Sequence, residues 1–128
     1  MTAACLTLLH QAKCPIWPWH GSDQTGLLAE AFPAAQLCHW GMKYEGYNGD
    51  SQESLAHRKT LTVSLSQLIE IPDKFREKME QSADALDAVV CAFAAIAVST
   101  ERLNQTTIET VDKEGQIVVH EKLGPQRN

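Results

Sequence analysis

Hydrophobic and polar positions along this chain follow two periods, and the switches between them mark out the elements. From Thr2 to Lys13, Leu6, Leu9 and Ala12 recur at the spacing of one helix face, which predicts a short helix. Cys14 to Gly21 contains Pro15 and Pro18, which exclude helix and leave an edge strand or extended segment, with Trp17 and Trp19 free to pack on a neighbour. Gly26 to Pro33 is short, apolar and bounded by Gly and Pro, the pattern of a buried strand. A short helix from Pro33 to Trp40 comes next, opened by proline and stopped by Gly41.

Met42 to Ser51 is a turn-rich loop around Asn48-Gly49. Glu53 to Glu70 is helical in composition, with Leu61, Leu65, Leu68 and Ile69 on one stripe. Ile71-Pro72-Asp73 interrupts it, and Lys74 to Gln81 forms a polar helical turn or two. Ser82 to Val98 then organises the rest. From Ala88 to Val98 it has no polar side chain, so it is expected to be a helix buried on nearly all sides. Thr107 to Val111 and Gln116 to His120 alternate in the strand manner around Asp112-Lys113-Glu114-Gly115, which predicts a β-hairpin. Gly124 to Asn128 reads as a frayed tail. The expected fold is α/β, helix-rich with few strands and a C-terminal hairpin.

Composition narrows the classes. At 128 residues the chain is one domain at most, residues 1–128, with 44% hydrophobic and 21% charged residues as in a soluble globular protein. A net charge of −5 excludes a general nucleic-acid coat protein, which needs a basic face, yet leaves room for a metal-dependent nuclease whose ions neutralise its site. Cys5, Cys14, Cys38 and Cys91 form no C-x-x-C pair, which fits a reducing, cytoplasmic compartment. The N-terminus lacks the basic start of a signal peptide, and the longest apolar run falls short of a bilayer span, so no membrane role is expected.

Three acids stand out against this background. Asp84 and Asp87, three residues apart, project from one face at the start of the apolar helix, with Cys91 one turn further on. Ser82 is a good N-cap, and an acid in the first turn is favourable through the helix dipole, which accounts for Asp84 without any function. Asp87 lies past the first turn, where an unpaired buried carboxylate costs several kcal/mol. Glu30 interrupts an apolar strand, so it is paired, neutral, bound to a cation, or facing water from an edge. Arg58 and Lys59, beside His57, form a basic cluster that is either a solvated face or a phosphate contact. Cys14, His20, Cys38 and His39 could in principle ligate zinc, although their spacing matches no common zinc module.

Ala29-Glu30-Ala31-Phe32-Pro33-Ala34-Ala35, Leu37 with Trp40-Gly41, Gly46-Tyr47, Asp84-Ala85-Leu86-Asp87-Ala88 and Glu114-Gly115, in this order, resemble a family of uncharacterised prokaryotic proteins predicted to be nucleases with a ribonuclease-H-like fold. The match runs from about Trp17 to about Val119. The resemblance implies a divalent-metal phosphodiesterase site, with Glu30 as the strand acid and Asp84 and Asp87 as the helix acids holding Mg2+ or Mn2+. It also implies that this chain corresponds to the C-terminal portion of that domain, a fragment or subunit acting on nucleic acid, completed as a homo-oligomer or by a complementing chain. The alternative expectation is a non-catalytic interaction or structural protein that dimerises or binds a partner through its open sheet edge.

Overall fold

In the computed structural model, which describes residues 3–19, 27–103 and 116–121, the chain runs α1 (Ala3–Ala12), β1 (Glu30–Ala31), α2 (Pro33–His39), α3 (Gln52–Ser66), α4 (Asp73–Gln81), α5 (Ala83–Thr100) and β2 (Ile117–Val118). The domain is helix-rich α/β with a small parallel sheet. Alanine, the best helix former, dominates α5. The Ser82 hydroxyl caps its start by accepting the Ala85 N–H at 3.3 Å, and Glu101 ends it in the left-handed region at φ 56°.

α5 carries two successive cores. Its first half buries Leu86, Val90 and Phe93 among Leu37 and Trp40 at the end of α2, Tyr47 of the following loop, Leu61 and Leu65 of α3 and Met79 of α4. Its second half lays Ala94, Ala97 and Val98 against Val118 of β2, with Ala29 and Ala31 packed alongside. The expectation of burial on nearly all sides is corrected here. Ala88, Ala92, Ala95, Ile96 and Ser99 form an exposed stripe, because alanine tolerates either environment and its presence alone does not mark a buried face. α5 is also long and apolar enough, at mean hydropathy 1.7, to cross a membrane by length and composition. Its packing against α2, α3, α4 and both strands instead makes it the core helix of this domain.

α3 begins at the Ser51 cap, whose hydroxyl accepts the Ser54 N–H at 3.1 Å, and ends at Ser66, short of the predicted Glu70. The approaching Ile71-Pro72 step disfavours helical backbone, so Leu68 packs on the core from a turn and Ile69 is exposed. The predicted arm at 116–120 is present, but its named strand partner is β1, in parallel, with Glu30 opposite Ile117 and Ala31 opposite Val118. Leu28 also bridges Ile16 in parallel, and His120 bridges Leu103 antiparallel. The other predicted hairpin arm, 107–111, and the tail at 124–128 lie outside the described residues.

A buried glutamine joins the sheet to α2. The Gln36 amide donates to the His120 carbonyl at 3.2 Å and its oxygen accepts the His120 N–H at 2.7 Å, so one side chain does what a neighbouring strand would do. Trp40 adds an Nε1–H donated to the Glu121 carbonyl at 3.3 Å and an edge-to-face contact with Phe93, centroids 4.8 Å apart. This packing sets a contrast between core and exposed stripe. Leu65→Ala is expected to lower unfolding stability by about 3 kcal/mol through its cavity, whereas Ala92→Ser stays within about 0.5 kcal/mol. Urea denaturation of the two variants measures the difference, and equal losses would contradict the assignment of the core.

Candidate acidic site at the head of the core helix

Asp84 lies in the first turn of α5, exposed, where its charge meets the helix dipole. Asp87, one turn along, is half-buried, and its Oδ1 accepts the Tyr47 hydroxyl at 2.7 Å. Among the described residues neither carboxylate forms an ion pair. Cys91 continues the same face, and burial followed by the Asp87 charge pushes its thiol up, which leaves it protonated and unreactive at neutral pH.

Tyr47 enters the sequence reading only within the Gly46-Tyr47 part of the resemblance and not as a site residue. It is 2% exposed, although it sits in a loop whose composition suggests only turns. Burial, then the hydrogen bond to Asp87, then the Asp87 charge all raise its pKa well above the ordinary phenol value. The signal available beforehand was the need of a half-buried Asp87 for a donor, but nothing in the spacing says which loop supplies it.

Arg58 explains how that loop is held. Its side chain is buried, 2% exposed, with Nη1 donating to the carbonyls of Tyr47 and Gly49 and Nε donating to the Glu80 carbonyl at 2.9 Å. The guanidinium therefore fastens the 47–49 loop and the end of α4 to α3. Both sequence readings of Arg58, a solvated face and a phosphate contact, give way to this buried role, for which its forked donors suit it. Lys59, one position on, is exposed and lines a groove with Glu77 and Glu80, whose charges oppose the approach of a phosphate. His57 donates its Nε2–H to the Lys43 carbonyl at 2.9 Å and packs its ring edge-on against Tyr47.

Glu30 does not join the helix acids. Successive strand residues face opposite sides, and Ala29 and Ala31 are turned toward α5, so Glu30 points away from it and is exposed. No three His, Cys, Asp or Glu side chains among the described residues are grouped to hold a metal ion. The expected three-acid cage is thus not assembled. Cys14, Cys38 and His39 form no such group among the described residues either, and His20 lies outside them.

These features define a helix-rich α/β domain with an acidic pair at the head of its core helix. The chain belongs to the family described as "Protein of unknown function (DUF429)", whose model matches residues 13–111. No curated protein and no solved structure matches the chain.

The raised Tyr47 pKa carries a pH dependence of stability. In the unfolded chain the phenol ionises near its ordinary 10.0 and in the folded chain well above it, so this contribution is full below that pH and is lost as pH rises beyond it. Tyr47→Phe is expected to flatten the alkaline loss of stability, and Asp87→Asn to bring the Tyr47 ionisation down without restoring the ordinary value, because burial remains. Tyrosinate absorbance against pH checks both. A second comparison separates the basic neighbours: Arg58→Met costs about 3 kcal/mol by orphaning buried carbonyls, and Lys59→Met stays within about 0.5 kcal/mol, as read by chemical denaturation.

Proposed function

We propose that this chain is a subunit or portion of a divalent-metal-dependent phosphodiesterase acting on nucleic acid, of ribonuclease-H-like ancestry, with Asp84 and Asp87 as its acidic pair. The observation that carries this reading is Asp87. A half-buried carboxylate at the head of an apolar helix, aimed by one buried hydroxyl and paired with no cation among the described residues, is costly to keep unless a positive charge visits it. Mg2+ or Mn2+ bound there would supply charge neutralisation for a phosphate and an activated water. The chain's own part is to hold the Asp87 carboxylate through Tyr47, and to hold Tyr47 through Arg58.

A second reading is favoured by the sheet. On the face turned away from α5 the strand register sets exposed Ile117 beside exposed Glu30, a surface suited to a partner and not to catalysis. In this reading the chain is a binding module with no cleavage of its own.

Cleavage of single-stranded, duplex and hybrid nucleic acids in the presence of Mn2+ separates the two. The phosphodiesterase reading expects cleavage that falls at least about a hundredfold in Asp87→Asn, on the order of 3 kcal/mol of lost transition-state stabilisation. A folded protein with no cleavage, or cleavage indifferent to Asp87, removes that reading and leaves the binding module.

A further inference from the structure

The loop that brings Tyr47 to Asp87 continues into Asn48 and Gly49, the one Asn-Gly pair in the sequence. Asn48 is exposed. Among the described residues nothing hydrogen-bonds its carboxamide, and nothing accepts the Gly49 N–H. Both groups that asparagine cyclisation requires are therefore unrestrained, a side-chain carbonyl open to solvent and the next amide nitrogen with no side chain beside it.

Packing keeps that nitrogen unshielded. A Cβ at Gly49 would stand 3.0 Å from Oγ of Ser54, which is buried and hydrogen-bonded to the Ser51 cap of α3. The start of α3 thus resists a bulkier residue at 49. The same dipeptide also lies inside a clip. Arg58 Nη1 donates to the Tyr47 carbonyl at 2.5 Å and to the Gly49 carbonyl at 2.8 Å, so a single nitrogen fixes the span of backbone between them. Arg58 is 2% exposed, and a donor released there is poorly reached by water.

We infer that Asn48 is a site of spontaneous deamidation in the folded chain, and that its isoaspartyl product opens the Arg58 clip and unseats Tyr47 from Asp87. The Gly49 nitrogen bonds to the Asn48 side-chain carbonyl carbon. Its proton passes through solvent to the departing amide nitrogen, which leaves as ammonia and closes a succinimide. Water then opens the ring. Cleavage at the former side-chain carbonyl leaves an aspartyl residue, whereas cleavage at the main-chain carbonyl leaves an isoaspartyl, whose backbone runs through Cβ and is one carbon longer. That carbon falls between the two carbonyls that share Nη1, so both cannot stay on it. The inference stands apart from the phosphodiesterase reading, since neither metal nor nucleic acid enters it.

Ageing the folded chain in mildly alkaline buffer, followed by peptide mapping and isoaspartyl methyltransferase labelling, tests it. Conversion is expected at Asn48 ahead of Asn104, which precedes a glutamine. In urea, the aged chain is expected to show a second population, equal in size to the isoaspartyl fraction, with an unfolding constant at least about tenfold larger. Asn48→Asp carries the new charge on an ordinary backbone and is expected to stay within about twofold of the unaged chain. Asn48→Gln keeps one population through the same ageing. Tyrosinate absorbance, read in a Tyr44→Phe background so that Tyr47 gives the signal, is expected to move to lower pH in the isoaspartyl fraction as the Asp87 hydrogen bond is lost. A folded chain that does not convert at Asn48 overturns the site. An isoaspartyl fraction that unfolds like Asn48→Asp, or whose Tyr47 ionises as before, overturns its link to the Arg58 clip.

Discussion

Small side chains on both sides of one contact set the geometry of this domain. Ala94 and Ala97 of α5 meet Ala29, Ala31 and Val118, so helix and sheet approach closely along the second half of the helix. Strand alternation then leaves no choice for Glu30, which must face away from α5. The first half of α5 runs on beyond the sheet into a core of larger side chains, where Leu86, Val90 and Phe93 are buried. The head of the helix, with Asp84 and Asp87, is therefore presented by that second core. One packing choice separates the acids into two surfaces.

Buried polar side chains do the joining that a larger sheet would otherwise do. Arg58 fastens the 47–49 loop and the end of α4, Gln36 fastens residue 120, and Tyr47 fastens Asp87. Each satisfies backbone or carboxylate groups that irregular chain would leave exposed to the interior. In α3, adjacent positions diverge by about a hundred degrees around the helix, so Arg58 turns inward while Lys59 meets solvent. The loop that brings Tyr47 to Asp87 consequently depends on a residue whose charge suggests the surface.

Much of the fold was legible in the chain. The helices around Pro33, Ser51 and Ser82 begin where proline or a capping serine says they should, and Gly41, at φ 75°, follows α2 as a stop. The end of α3 was less legible, since the stripe through Leu68 and Ile69 continues past the point where the Ile71-Pro72 step ends the helix. Burial of α5 was overestimated because alanine fits both environments. Asp87 was legible as an anomaly, and the structure places it half-buried with a donor. Its grouping with Glu30 was not legible, because a spacing along the chain does not reveal which face of the strand meets α5. Tyr47 and the inward turn of Arg58 depend on contacts between distant segments, which local patterns do not encode.

The central claim is that Glu30 and Asp87 serve different surfaces. Calorimetric titration of Mn2+ into the wild-type chain, Glu30→Gln and Asp87→Asn tests it directly. The account predicts that Asp87→Asn weakens binding by at least about tenfold, or 1.4 kcal/mol, while Glu30→Gln leaves it unchanged. Equal losses in the two variants would place both carboxylates on one ion and contradict the account.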